Sequence, residues 1–258
     1  MFAKKSLGQN FLMHRQTGER IVHAANLSKD AVVLEIGPGT GMLTRELLTQ
    51  VARVVAVEAD GTLVEELRET FAVEIAEERL ELIHADIRSF DASVIGETYH
   101  LVANIPYYIT GEIIRQFLTE KHQPSSMTLL VQKEVAVRIA RAEKESLLSL
   151  SVKVYGTPSY CFTVPRGAFV PAPNVDSAVL HIKDISRSSF ELPEQETQFF
   201  TCIRAGFAHK RKRLAKNLEE YWDREVIMGA FEACTIAKDA RAEELKLADW
   251  LQLARELN

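Results

Sequence analysis

The chain has 258 residues, 47% of them hydrophobic, and a net charge of -5. That length allows one medium domain with a smaller one appended, and the composition excludes collagen-like, repetitive and low-complexity chains. The acidic balance argues mildly against nucleic acid as a partner, although binding depends on where the cations sit.

Cys161, Cys202 and Cys234 are far apart and form no CxxC pair. A reducing compartment is expected, with no disulfide frame and no zinc or other metal site. The start carries Lys4 and Lys5 and then polar residues, without the apolar core of a signal peptide. No apolar run approaches the roughly 18 residues of a membrane span, so the expected setting is cytoplasmic.

From about Ala31 to Lys183, short apolar runs alternate with helical patterns. Val32 to Ile36 reads as a strand running into Gly37-Pro38-Gly39-Thr40-Gly41, and Met42 to Gln50 as a helix with Leu43, Leu47 and Leu48 on one face. Val54 to Val57 is a second strand ending at Glu58, followed by a helix from Leu63 to Phe71. Leu80 to Ile83 is a third strand ending near Asp86, Leu101 to Ala103 a fourth ending at Asn104, and Met127 to Val131 a fifth. Such runs suit a parallel sheet covered on both faces, and the strand-helix repeat predicts a doubly wound α/β domain. Leu150 to Val154 and Ala178 to Ile182 are expected to form a late antiparallel hairpin around Phe169-Val170-Pro171-Ala172-Pro173. Asp184 to Gln195 reads as a linker, and Glu196 to Leu257 as a small all-helical domain. The expected boundary thus divides 1–185 from 186–258.

In open α/β sheets, ligands sit beyond the carboxyl ends of the strands at the switch point. Gly37, Glu58, Asp86 and Asn104 fall at four successive strand ends. Glycines let a backbone pass close to a ligand. Glu58, twenty-one residues after Gly37, can accept both hydroxyls of a ribose. Asp86 can accept from an adenine amino group. Each residue also has a plainer reading, with the glycines as a tight turn and Asp86 as a cap on the next turn. A nicotinamide site fits the turn and the acid, but it prefers G-x-G-x-x-G where this chain has G-x-G-x-G.

Asn104-Ile105-Pro106-Tyr107 carries the chemistry. An aromatic amine is a poor nucleophile because its lone pair is delocalised. Accepting hydrogen bonds from both of its N–H groups makes the nitrogen more tetrahedral and aims the lone pair for in-line attack on a sulfonium methyl. Asn104 offers a side-chain carbonyl. Ile105 offers a backbone carbonyl, held extended by Pro106. Tyr107 offers a face on which a flipped base can stack. The plain alternative is an ordinary strand-ending turn with Tyr107 and Tyr108 at the edge of the core.

With these residues in place, the chain closely resembles the KsgA-type rRNA adenine dimethyltransferases. The matching stretches are Lys5-Ser6-Leu7-Gly8-Gln9-Asn10-Phe11-Leu12, Leu34 to Gly41, Asn104 to Ile109, Val131 to Ala136 and Val175 to Val179. The resemblance implies a Rossmann-like methyltransferase sheet with S-adenosylmethionine as cofactor. It implies that Gln9 to Leu12 folds over that cofactor, so that Asn10 and Leu12 join Gly37, Glu58, Asp86 and Asn104 as contacts. It implies that Phe169 faces Tyr107 across the target base, and that the helical domain faces RNA. The chain departs from the pattern at Leu147-Leu148 and at Pro171-Ala172-Pro173-Asn174, where a lysine is lost.

Arg204, Lys210, Arg211, Lys212, Arg213 and Lys216 form a basic run without an acid between Arg204 and Lys216. Phosphates attract such runs, and a solvated helix face is the alternative. The expected reaction is dimethylation of two adjacent adenosines in the 3′-terminal hairpin of small-subunit rRNA, with a role in small-subunit biogenesis. The alternatives are the macrolide-resistance type acting on large-subunit rRNA, and an RNA-binding assembly factor with secondary catalysis. The absence of a heptad seam predicts a monomer.

Overall fold

The computed structural model describes residues 8–96 and 98–257. Lys5, Ser6 and Leu7 of the matched start lie outside them. The chain divides into two compact units: one runs through Val137 and includes Thr157–Ile185, the other joins Arg138–Gly156 to the chain from Ser186 onward.

The first unit opens with β1 (Phe11–Leu12) and α1 (Arg15–Ala25). It continues with β2 (Val32–Ile36), α2 (Met42–Leu48), β3 (Arg53–Glu58), α3 (Gly61–Thr70), α4 (Ala72–Ala76), β4 (Leu80–His84), β5 (His100–Asn104), α5 (Thr110–Thr119), β6 (Ser126–Gln132) and the start of α6 (Lys133–Ala140), whose residues from Arg138 on belong to the second unit. The strand order is β4-β3-β2-β5-β6 and all four pairings are parallel. Every residue of β2 is buried. Ile21 and Val22 of α1 and Leu43 and Leu47 of α2 share one apolar cluster with Val33, Val54, Ala56, Val102 and Leu130. The alternate residues Leu34, Val55 and Leu101 are buried too, which requires cover on the opposite face. The order reverses between β2 and β5, which makes the carboxyl ends of those two strands the switch point.

Two antiparallel strands complete the sheet. β7 (Thr157–Val164) and β9 (Ser177–Lys183) pair with each other, and β9 pairs with β6. Between them, β8 (Phe169–Val170) pairs with β1 in a separate two-stranded ribbon. The late hairpin is therefore present, but its first strand is not the expected Leu150 to Val154. That stretch lies in and just after a helix, α7 (Leu147–Lys153). Its alternation of Leu150, Val152 and Val154 with Ser151 and Lys153 mimics a strand. A capping box decides otherwise: Ser146 accepts from Ser149 N at 3.1 Å, and Ser149 Oγ accepts from Ser146 N at 2.7 Å.

The second unit contains α7 together with α8 (Pro193–Gly206), α9 (Leu214–Leu218), α10 (Arg224–Ala233) and α11 (Leu247–Glu256). Residues 138–156 belong here by contact, although the sequence pattern ran the first domain unbroken to 185. The reason is apolar: Tyr155 stacks on Phe200 with ring centroids 5.9 Å apart, and its hydroxyl donates to Glu196. Trp250 fills the centre of this unit, stacked on Phe207 at 5.6 Å. Pro193, read as a linker residue, is the first residue of α8, where its missing N–H costs nothing.

Candidate active site

The strand ends converge. Gly37, Glu58, Asp86, Asn104, Ile105, Pro106 and Tyr107 line one cleft together with Asn10 and Leu12, with a volume of about 1130 Å³ including its open mouth. Phe169 is not among the lining residues. It is buried in the apolar cluster, opposite Leu12 in the β1–β8 ribbon.

The glycine turn begins where Gly37 N donates to the Val57 carbonyl at 2.9 Å, which ties the end of β2 to β3. Gly41 caps α2 with φ +75°, and a Cβ there would lie 2.5 Å from Phe71 Cε2. Gly41→Ala should therefore destabilise the chain by about 2–3 kcal/mol, from left-handed strain plus overpacking. Urea unfolding measures this, and a loss under about 0.5 kcal/mol would mean that the Phe71 ring yields freely.

Glu58 is buried, and its two oxygens accept from Gly39 N at 3.2 Å and Asp60 N at 2.9 Å. Burial pushes its carboxyl above the ordinary range, while these N–H groups pull it back. The Ala59 N–H also bears on this carboxylate, which has about four acceptor positions, so acceptor capacity remains for a ligand hydroxyl.

A roof crosses the cleft. Gln9 Nε2 donates to Asp60 at 3.2 Å, the Asn10 side chain turns back to Gly8 O at 3.1 Å, and Met13 N donates to Ala168 O at 2.9 Å. Asn104 Nδ2 donates to the Asn10 carbonyl at 3.0 Å. That bond fixes the amide's orientation and leaves Oδ1 as its acceptor. Nothing among the described residues donates to the Ile105 carbonyl, whereas Pro106 O is taken by Ile109 N at 3.2 Å. Two acceptors therefore stand at the end of β5, as an amine with two N–H groups requires. Tyr107 is held by a 2.6 Å bond between its hydroxyl and Ser177 Oγ, and burial keeps that hydroxyl neutral.

Asp86 does what the plainer reading expected and something more. It accepts from Arg88 N at 3.0 Å, capping a 3-10 turn, and it receives Arg88 Nε at 3.0 Å and Nη2 at 2.6 Å. The Arg88 guanidinium holds its carboxyl below the ordinary range. Glu35 was missed by sequence reasoning. It lines the cleft, is buried, and its Oε2 has no partner among the described residues. Burial pushes it up to about 8. The available signal was a single acid inside the apolar run Val32 to Ile36.

In the second unit, Arg204, Lys210, Arg211, Lys212, Arg213 and Lys216 are all exposed. Asn217 Nδ2 ties the loop between them by donating to Gly206 O at 2.5 Å and His209 O at 3.2 Å. Lys216 pairs with Glu219 at 2.5 Å and Lys212 meets Glu220 at 3.9 Å. Among the described residues Arg204, Lys210, Arg211 and Arg213 make no ion pair, so these four carry most of the local field. Also among the described residues, no group of three or more His, Cys, Asp or Glu is placed to hold a metal, and no helix is long and apolar enough to cross a membrane.

Residues 2–258 match the family model described as ribosomal RNA adenine dimethylase. A protein of Dehalococcoides mccartyi named ribosomal RNA small subunit methyltransferase A is 40% identical over 260 residues, covering 98% of this chain and 88% of that one. The protein of the same name from Geobacillus thermodenitrificans is 37% identical, covering 98% and 90%. The crystal structure of the 23S rRNA methyltransferase ErmE superposes with a TM-score of 0.79 at 26% identity, covering 96% of this chain and 99% of that one.

Proposed function

The chain belongs to the ribosomal RNA adenine dimethylase family, and we propose that it transfers methyl groups from S-adenosylmethionine to the N6 amines of two adjacent adenosines. Those adenosines lie in the 3′-terminal hairpin of small-subunit rRNA, and the step belongs to small-subunit assembly, in the cytoplasm, by a monomer. The observation that carries the reading is the oriented amide of Asn104, with Oδ1 left to accept beside the undonated Ile105 carbonyl.

The cleft suits the cofactor on its own terms. Glu58 keeps acceptor capacity for a ribose hydroxyl, and Glu35 offers an unpartnered buried oxygen to a cation. Asp86 and the Asn10–Leu12 roof complete the contacts. Bound there, S-adenosylmethionine supplies an electrophilic methyl. Asn104 and Ile105 accept from the amine, Tyr107 stacks on the base, and the amine loses its proton after transfer. No charged base is needed. The helical part, 186–258, faces the RNA.

The deciding experiment supplies labelled S-adenosylmethionine with unmodified small subunits, large subunits and naked RNA. Label in the small subunit is expected. Label in the large subunit alone would instead support the ErmE-like alternative. Replacing Lys210, Arg211 and Lys212 together with Ala should weaken subunit binding and lower the slope of log affinity against log salt by about 2, given that Lys212 is already partly paired. An unchanged slope would make the run a solvated face.

A further inference from the structure

The mouth of the cleft holds a large aromatic that the proposed reaction does not use. Tyr108 lines the cleft yet is 64% exposed. Its neighbour Tyr107 is half-buried and tied to Ser177, so the two tyrosines are in different situations.

The Tyr108 ring is backed by main chain. A Cβ built on Gly8, where φ is +60°, would lie 2.9 Å from Tyr108 Cε1 and 3.1 Å from Cδ1. The ring therefore rests against the Gly8 α-carbon, an approach that only a residue without a Cβ permits. A ring supported along one side and open on the rest loses little freedom when a flat ligand lands on it. Arg88 adds a second planar surface. It lines the same cleft, its side chain is 50% exposed, and Asp86 grips its guanidinium through two nitrogens. It also lies within electrostatic range of the Tyr108 hydroxyl.

Aromatic rings and guanidinium planes are the surfaces on which unstacked RNA bases settle. An adenine whose amine reaches Asn104 has left its stack, and the base beside it has lost a stacking partner. We propose that Tyr108, backed by Gly8 and flanked by Arg88, is the stacking platform for the unpaired RNA base next to the target adenosine. This makes Tyr108 a positioning residue for the RNA substrate. It rests on the reading of the cleft as an RNA adenine methyltransferase site.

The test compares wild type with Tyr108→Ala, Tyr108→Phe and Tyr108→Leu on unmethylated small subunits. Tyr108→Ala should raise KM for the subunit about tenfold, as the loss of one stacked base predicts, and change kcat by less than about threefold. Tyr108→Phe should restore KM, and Tyr108→Leu should not. Affinity for S-adenosylhomocysteine and the thermal midpoint should match wild type in all three. A KM for Tyr108→Ala within about twofold of wild type overturns the proposal. So does full rescue by Leu, or a loss of S-adenosylhomocysteine affinity as large as the rise in KM. Failure of the underlying reading looks different: the wild-type enzyme leaves the small subunit unlabelled, and the proposal falls with it.

Discussion

Asn104→Ala should lower kcat for methyl transfer by about 10²–10³-fold, the usual consequence of removing one preorganised hydrogen-bond partner from a developing charge. The side chain has two jobs, and they separate in measurement. Its Nδ2 holds the roof through Asn10 O at 3.0 Å. Its Oδ1 is the acceptor left for the amine. Losing the tether alone loosens the roof and weakens cofactor binding, whereas losing the acceptor slows the chemistry. A kcat loss much larger than the change in cofactor affinity therefore identifies the acceptor as the dominant role. Asn104→Gln keeps the amide but moves it outward by one methylene. In-line attack tolerates displacements of about 1 Å poorly, so this variant should lose about 10²-fold as well. Unfolding free energy should change little in either, because Asn104 is only partly buried at a strand end. Full kcat in Asn104→Ala would refute the mechanism.

The residues of the cleft were legible in sequence for a physical reason. A parallel strand buried on both faces is a continuous apolar run, so the first polar residue after it marks the carboxyl edge where ligands bind. Glu58 and Asn104 each stand at such an edge, whereas Asp86 lies two residues beyond β4, a partly buried edge strand that already carries Glu81 and His84. The roof was not legible from the residues alone. Asn10 contributes a main-chain carbonyl to Asn104 ninety-four positions away, and no side-chain pattern announces that. The resemblance supplied Asn10 and Leu12 instead. Leu150 to Val154 misled because period two is a weak signal over five residues, and one serine pair at Ser146 and Ser149 outweighs it. The same region explains why the two units do not divide at a single point near 185. Residues 138–156 hold an aromatic partner for Phe200, and that pairing has no local signature.

Glu35 should make the protein's stability depend on pH in a direction opposite to a salt-bridged acid. Its folded carboxyl stands at about 8 against an ordinary 4.5, because burial disfavours the charged form. A raised pKa means that the native state holds the proton more tightly. The contribution is then fully present below pH 4.5 and is lost as pH climbs through 8. At about 1.4 kcal/mol per pH unit the whole window amounts to at most about 5 kcal/mol. Glu35→Gln removes the titration and keeps the shape. Urea unfolding of both proteins at pH 5, 7 and 8.5 should show the variant gaining on wild type with each step, and a constant difference would show that Glu35 does not titrate in that window. The same group links stability to ligand binding. Glu58 also faces it, and its charge disfavours a second anion nearby. A cation beside Glu35 relieves both penalties. S-adenosylmethionine carries an ammonium and a sulfonium, so its affinity for wild type should rise from pH 5 to pH 8. For Glu35→Gln that rise should be much flatter. Equal pH dependence in the two proteins would mean that no cation sits beside Glu35.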